Sequence, residues 1–200
     1  MKRLLPQPDQ RIDFLRGFLR RPHQVGSVIP SSRFLERRLV ELAELADARA
    51  VVELGPGTGG TTLALLRALP GQARLLAIEL EPEFVRLLGR IRDPRLAVER
   101  GSAAELTAIV AAHGLPPLDA VISGIPFSTM EAEHGRRILG QIRDALAPDG
   151  RFVAYQVRDR VGELGAEVFG RPRIELELRN IPPVRIFSWH GRAASESGAA

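Results

Sequence analysis

The chain has 200 residues, no cysteine and a formal net charge of +4. The missing thiols exclude disulfides, cysteine zinc sites and cysteine nucleophiles. No apolar run approaches the roughly 18 residues needed to span a bilayer, and the length favours one domain with a substantial core. No segment has the pattern of a signal peptide, so we expect a cytoplasmic protein, and no residue pattern indicates a metal site.

The first 32 residues are expected to form an amphipathic helix followed by a loop. Residues 9–21 place apolar side chains on one helical face, widened by two phenylalanines, and arginines on the remaining sides. Such a helix can lie on an anionic membrane surface or pack against the protein's own sheet, and the residues alone do not separate the two. After the loop, Ser32 with Glu36 nearby fits an N-cap for a helix that begins near Arg33.

Short β-like runs then alternate with helical patterns as far as about residue 169. Predicted strands cover 51–54, 75–79, 96–99, 119–123 and 152–157, and predicted helices cover 61–69, 82–91, 104–112 and 131–147. Alternation of this kind indicates right-handed crossovers and a parallel sheet.

The end of the chain breaks this alternation. Two further strands, 173–179 and 184–189, are separated only by residues 180–183, a link that allows an antiparallel pair but no parallel crossover. We therefore expect one α/β, Rossmann-like domain over 33–190. It should have a seven-stranded, mostly parallel sheet with an antiparallel C-terminal hairpin strand and helices on both faces. A disordered tail is expected over 191–200.

A glycine-rich turn follows the first predicted strand, at the strand end where open α/β sheets bind ligands. Gly55, Gly57 and Gly59 lack Cβ atoms, so the backbone can approach a ligand closely. Gly55, Gly57 and Gly60 also fit the dinucleotide fingerprint. Three features favour S-adenosylmethionine instead. Glu53 suits an ammonium better than phosphates, the sheet ends in a hairpin rather than a second mononucleotide half, and a proline-containing loop follows the fourth strand.

Two more strand ends and a preceding loop complete the predicted cofactor site. Glu79 ends the second strand, where an acid can accept hydrogen bonds from ribose hydroxyls. Ser102 follows the third strand, where many methyltransferases have an acid for the adenine, so that contact stays open or passes to a backbone group. The loop 25–32 would cover the cofactor, with its serines on the methionine carboxylate or capping the next helix. The predicted cofactor-binding residues are Gly26, Ser27, Ser31, Ser32, Glu53, Gly55, Pro56, Gly57, Thr58, Gly59, Glu79, Leu80, Gly101, Ser102, Ala103 and Ser123.

Three segments resemble one family of methyltransferases: Gly26–Ser32 before the sheet, Ser123–Phe127 after the fourth strand and Asn180–Arg185 in the final hairpin. With them, residues 12–190 are similar to the bacterial phospholipid N-methyltransferases, which are relatives of the rRNA adenine dimethyltransferases. The resemblance implies methylation of a lipid amine headgroup, such as that of phosphatidylethanolamine, with S-adenosylhomocysteine as the second product. It also implies peripheral association with the inner face of the membrane, for which residues 9–21 are the expected contact.

The rRNA relatives usually carry asparagine where this chain has Gly124. That side chain helps to hold the planar adenine amine, so its absence disfavours a nucleic-acid partner. Two alternatives stay open: an rRNA adenine or small-molecule N-methyltransferase, and a catalytically inactive module that binds the cofactor and a membrane.

The loop after the fourth strand is expected to hold the amine through its backbone carbonyls. Phe127 would border the cationic product with its ring face or pack in the core. His23 or Tyr155 would act as a general base, unless the amine loses its proton to water before it binds. The predicted catalytic residues are Ser123, Gly124, Ile125, Pro126, Phe127, His23 and Tyr155.

Overall fold

The computed structural model describes residues 31–191. The predicted amphipathic helix over 9–21, the proposed site residues His23, Gly26 and Ser27, and all but the first residue of the predicted tail lie outside the described residues.

Helices and strands alternate along the described chain. The helices are α1 (Arg33–Ala43), α2 (Gly60–Ala68), α3 (Pro82–Leu88), α4 (Leu106–Ala112), α5 (Ala132–Ala145) and α6 (Arg160–Phe169). The strands are β1 (Ala50–Leu54), β2 (Arg74–Glu79), β3 (Leu96–Arg100), β4 (Leu118–Ser123), β5 (Leu146–Gln156), β6 (Arg173–Glu177) and β7 (Val184–His190). Short 3₁₀ turns cover Leu45–Asp47, Ala103–Glu105 and Phe127–Thr129.

All seven strands form one sheet in the order β3-β2-β1-β4-β5-β7-β6. The first five in this order run parallel, and β7 is antiparallel to both β5 and β6. The predicted Rossmann-like architecture with its antiparallel hairpin is therefore confirmed. Because the chain moves outward from β1 to β3 and then returns to β4, the carboxyl ends of β1 and β4 flank the topological switch point, where such sheets bind ligands.

Apolar side chains cover both faces of the sheet. Leucines of α1 and α2, including Leu35 and Leu65, pack on one face, and apolar residues of α4, α5 and α6 pack on the other. Adjacent strand residues point to opposite faces, so Val51 lies in the first cluster and Val52 in the second. The sheet is thus buried on both faces and presents its strand ends rather than a face to a ligand.

Two elements differ from the sequence prediction. The fifth strand begins at Leu146, not at residue 152, because Leu146 pairs with Leu118 before a register irregularity that ends at Arg151. Helix α6 has no counterpart among the predicted helices. It contains Gly162 and Gly165, residues that weaken a helical pattern. Their absent side chains make room for aromatic rings, since a Cβ at these glycines would lie 2.5 and 2.4 Å from ring atoms of β7.

Candidate cofactor and substrate site

The turn between β1 and α2 adopts the backbone conformation that its glycines allow. Gly55, Gly57 and Gly59 have φ angles of 69, 54 and 82°, a region that side chains with a Cβ rarely enter. Hydrogen bonds extend the sheet past its strands here, because the Gly55 N–H donates to the Ile78 carbonyl at 3.0 Å. The turn is therefore fixed by main-chain bonds and leaves its surface to a ligand.

Glu53 lies at the base of this turn as a buried carboxyl group with one oxygen unpaired. Its Oε2 accepts a hydrogen bond from the Thr62 hydroxyl at 2.6 Å, and its Oε1 has no partner. Burial raises the pKa of Glu53 to about 8, and the nearby charge of Glu79 adds to the rise. An orphaned buried acid fits a cationic ligand group. The ammonium of S-adenosylmethionine is such a group, so this residue fits the predicted cofactor.

Glu79 links the glycine turn to the end of β2. Its Oε2 accepts from the Gly57 N–H at 3.0 Å. Its Oε1 accepts from the backbone N–H groups of Leu80 and Glu81 at 2.8 and 3.1 Å. A carboxylate has about four acceptor positions, so these three bonds leave room for a ribose hydroxyl. The Leu80 side chain beside it is 62% exposed, an uncovered apolar surface that suits a flat base.

Two hydrogen bonds fix the loop that follows β3. The Ser102 hydroxyl accepts from the Ala104 N–H at 3.2 Å and so caps a 3₁₀ turn. The Gly101 N–H donates to the Glu79 carbonyl at 3.2 Å, which ties this loop to the end of β2. Binding of the adenine by residues 101–103 stays a prediction, and both a backbone group and the Ser102 hydroxyl, which keeps its O–H and a second lone pair, stay open for it.

The loop after β4 has less acceptor capacity than predicted. The Ile125 carbonyl already accepts from the Phe127 N–H at 3.0 Å and from the Gln156 amide. The Pro126 carbonyl accepts from the Thr129 N–H at 3.0 Å and from the Thr129 hydroxyl at 2.9 Å. Because a carbonyl oxygen has two lone pairs, neither of these two carbonyls is available to a substrate amine in this arrangement. For the carbonyls of Ser123 and Gly124 the prediction stays open.

Phe127 and Ser123 are fully buried. Phe127 belongs to the core cluster that includes residues of α5 and α6. Of its two predicted roles, the structure therefore supports packing in the core, because the ring face is not open to a cationic product. The Ser123 hydroxyl turns back to accept from the Ile125 N–H at 3.3 Å. Both residues shape the loop from beneath.

Tyr155 brings together residues from three parts of the chain. Its hydroxyl hydrogen bonds with Ser31 and Thr61, and burial, followed by the charge of Glu53, raises its pKa to about 12. Thr61 in turn donates to the Ser31 hydroxyl at 3.1 Å. A phenol with this pKa stays protonated near neutral pH, so the structure argues against Tyr155 as a general base and for a role in hydrogen bonding.

Gly124 is glycine for a steric reason. A Cβ at this position would lie 2.6 Å from the Tyr155 hydroxyl oxygen and 3.0 Å from the Gly55 carbonyl oxygen. No side chain fits there while Tyr155 is present. The departure from the asparagine of the rRNA relatives is thus built into the packing of β5 against the loop.

Gln156 was not predicted as a site residue. It ends β5, is buried, and donates through its Nε2 to the Ile125 carbonyl. A carbonyl acceptor can face only the nitrogen of the amide, which fixes its orientation and leaves Oε1 as a buried acceptor without a partner. A glutamine at the end of an otherwise apolar strand was the available sequence signal.

Two roles were predicted for Ser32, binding of the methionine carboxylate and capping of the next helix, and the structure shows the cap. Its hydroxyl accepts from the Leu35 N–H at 3.2 Å and caps α1, and its own N–H donates to Asn180 Oδ1 at 2.8 Å. Ser31, by contrast, reaches the Tyr155 hydroxyl. The Ser32 O–H is not used by the helix cap, so binding of the methionine carboxylate by Ser31 or Ser32 stays a prediction.

Two broader features concern residues 31–191 as a whole. No helix in this part of the chain is long and apolar enough to cross a membrane. Within the same range, no group of three or more histidine or acidic side chains is arranged to hold a metal ion.

The sequence of this chain is similar to a known protein family and to characterised relatives. Residues 51–150 match a family model described as a methyltransferase domain. The ornithine lipid N-methyltransferase of Singulisphaera acidiphila is 31% identical over 182 residues, which cover 89% of this chain and 94% of that protein. The ribosomal RNA small subunit methyltransferase A of Caulobacter vibrioides is 37% identical over 142 residues, 68% of this chain, but the match spans about half of that protein, 51%.

A solved structure gives the same result for the fold. The 1,6-didemethyltoxoflavin-N1-methyltransferase of Burkholderia thailandensis, with bound 1,6-didemethyltoxoflavin and S-adenosylhomocysteine, superposes with a TM-score of 0.64. The sequences are 18% identical, and the match covers 96% of this chain and 93% of that chain.

Proposed function

Because the chain belongs to the class I S-adenosylmethionine-dependent methyltransferases, we propose that it methylates the amine headgroup of a membrane lipid. The observation that carries this proposal is the similarity to an ornithine lipid N-methyltransferase over nearly the full length of both chains. Ornithine lipid and phosphatidylethanolamine both present a primary amine, and either fits the proposal.

The site has residues suited to three parts of S-adenosylmethionine, namely its ammonium, its ribose and its adenine. We assign the ammonium to Glu53, the ribose hydroxyls to Glu79 and the adenine face to Leu80. When bound, the cofactor supplies an electrophilic methyl group, whose bond to sulfur breaks as a bond to the amine nitrogen forms. The protein's contribution is to align the amine with that carbon.

The amine side is assigned to Gln156. Its Oε1 is a buried side-chain acceptor without a hydrogen-bond partner, and its Nε2 binds the 123–127 loop at the Ile125 carbonyl. An N–H of the incoming amine donating to this oxygen would direct the nitrogen lone pair away from it. A primary ammonium has a pKa near about 10, so it must first lose a proton, and we assign that proton to water because Tyr155 is itself protonated.

An rRNA adenine substrate is less well supported by the site. Gly124 excludes the asparagine side chain that would hold an adenine amine, since the Tyr155 hydroxyl occupies its space. The proposed membrane contact of residues 9–21 and the lid over 25–30 accompany the lipid proposal and lie outside the described residues.

A labelling experiment tests this function. Purified protein is incubated with methyl-labelled S-adenosylmethionine and vesicles that contain phosphatidylethanolamine, ornithine lipid or only phosphatidylcholine, and lipid products are separated by headgroup. We expect label in an amine lipid, none in phosphatidylcholine alone, and loss of label in Glu53→Gln. Glu83→Gln is the matched control, because Glu83 is a surface residue of α3 with its side chain 72% exposed.

Two results would contradict the proposal. Label in small-subunit RNA offered in a parallel reaction, with label in no lipid, would favour the rRNA alternative. Tight cofactor binding without label in any acceptor would favour the catalytically inactive module.

A further inference from the structure

The β6–β7 hairpin carries uncovered apolar side chains at its turn. Leu178 and Ile181 lie between the two strands and are 66 and 87% exposed, and Val157, just after β5, is 40% exposed. We call these three residues the hairpin tip. Single exposed aliphatic residues are ordinary, but large ones grouped at one end of a sheet indicate an interaction surface.

The hairpin tip lies at the same end of the sheet as the candidate site. Gln156 is paired with Arg185 at the start of β7, and Glu177 at the end of β6 is paired with Val184. The turn between β6 and β7 therefore extends beyond the strand ends that carry the 123–127 loop. Asn180 is fully buried within this turn and accepts from the Ser32 N–H, so the tip is held next to Ser31 and the Tyr155 hydroxyl.

Basic side chains surround the hairpin tip. The guanidinium groups of Arg33 and Arg179 lie 4.8 and 4.2 Å from the ring centre of Phe34. Near the tip, Arg179 is ion-paired with Glu177 and Arg185 with Asp159, whereas Arg33 and Arg158 lie outside these two ion pairs. Two arginine charges thus remain beside the apolar tip, and this combination complements an anionic lipid surface.

We propose that the hairpin tip is a membrane-docking surface that inserts into the headgroup region and brings the site to its substrate. This inference rests on the proposed function for its purpose, because a lipid amine can reach Gln156 with its acyl chains still in the bilayer only if the bilayer meets this edge. The tip would act together with the predicted helix over 9–21, since stable peripheral binding usually needs two contacts.

A pair of tryptophan variants tests the location of docking. Leu178→Trp places a reporter in the tip. Ile174→Trp is the matched control, because Ile174 is an exposed aliphatic residue of β6, four residues before Leu178 and so about 13 Å further from the tip at about 3.3 Å per residue. The native Trp189 is buried and contributes the same background to both. Fluorescence is recorded on the full chain with vesicles of phosphatidylcholine and phosphatidylglycerol, with and without brominated acyl chains.

We expect a blue shift and quenching by brominated lipid in Leu178→Trp, and a clearly smaller response in Ile174→Trp. The double variant Leu178→Gln/Ile181→Gln should lower vesicle partitioning by about tenfold or more. Vesicle binding without quenching at position 178, or equal quenching at both positions, would overturn the proposal. So would a concentration-dependent shift without vesicles, which would assign the tip to a second copy of the chain.

Tryptophan fluorescence and vesicle partitioning can both be measured without catalytic turnover. Docking by the tip with no label in any lipid would therefore count against the proposed function alone. Lipid methylation with no response at position 178 would count against the docking surface alone. Circular dichroism melting of each variant verifies that the exposed substitutions leave the fold intact.

Discussion

The glycine turn after β1 and the loop after β4 lie side by side at one edge of the sheet, yet they are fixed by different contacts. The turn is held by its own backbone and by Glu79, 22 residues away in sequence. The loop is held by Gln156 and shaped by Tyr155, and both of these residues lie on β5. Gln156 is 31 residues away in sequence from Ile125, whose carbonyl it binds. The cofactor side is thus a local structure, and the amine side depends on how two strands pack together.

The largest expected effect is on the contact between these two regions. Gly124→Ala places a methyl group 2.6 Å from the Tyr155 hydroxyl and 3.0 Å from the Gly55 carbonyl, so the loop and the turn must move apart. We expect kcat/KM for the lipid amine to fall about a hundredfold, because misalignment by about 1 Å has that effect. Gly140→Ala is the control, since a Cβ at Gly140 meets no atom within 4 Å.

A double variant sharpens this test. Tyr155→Phe removes the nearer of the two clashing oxygens, so Gly124→Ala/Tyr155→Phe should recover part of the lost kcat/KM. No recovery would mean that the contacts that remain, the Gly55 carbonyl and the ring carbon at position 155, each 3.0 Å from the Cβ, set the requirement for glycine.

The cofactor side is tested by Glu53→Gln. Loss of a buried carboxylate opposite an ammonium should weaken S-adenosylmethionine binding by about a hundredfold, measured as Kd by isothermal titration calorimetry. The exposed Glu83→Gln control should leave Kd unchanged. Equal affinities of Glu53→Gln and the native chain would refute the assignment of the ammonium to Glu53.

The amine side is tested by Gln156→Leu, for which we expect about a tenfold rise in KM for the lipid. The Kd of S-adenosylmethionine should change little, because Gln156 contacts the 123–127 loop and not the glycine turn. Gln141→Leu serves as the control, since Gln141 lies on α5 and bonds Thr107. A change in Kd with no change in KM would move Gln156 from the amine side to the cofactor side.

The smallest expected effect is a pH dependence of stability without cofactor. The folded-state pKa of Glu53, about 8, lies above its ordinary value of 4.5. The stabilisation that comes with its protonated form is therefore complete below pH 4.5 and is lost as the pH rises through 8. Between pH 6 and 9 the Tm of the native chain should fall by several degrees relative to Glu53→Gln. Parallel Tm curves for the two proteins would contradict this.

The contrast between the two regions also explains what the sequence could predict. The turn, Glu53 and Glu79 follow from strand ends and glycine spacing, which are local patterns with a direct physical meaning. The antiparallel hairpin follows from the short link 180–183, and the N-cap at Ser32 from its residue type. These features need no knowledge of how distant segments pack.

Prediction of the contacts around the 123–127 loop required knowledge of how distant segments of the chain pack together. Which carbonyls of the loop are occupied depends on Gln156 and Thr129, and the protonation of Tyr155 depends on its burial near Glu53. Helix α6 was missed for a related reason, because its glycines are explained only by the rings that lie over them. Sequence reasoning therefore could not show that the Ile125 and Pro126 carbonyls are already occupied, and the role of the loop 123–127 stays a prediction.

The contact between Gly124 and Tyr155 has an evolutionary consequence. A chain that acquires asparagine at position 124 while keeping Tyr155 meets a steric clash, and a chain that loses Tyr155 first gives up the link to Ser31 and Thr61. The two positions should accordingly vary together among related sequences, with tyrosine at 155 accompanied by glycine at 124.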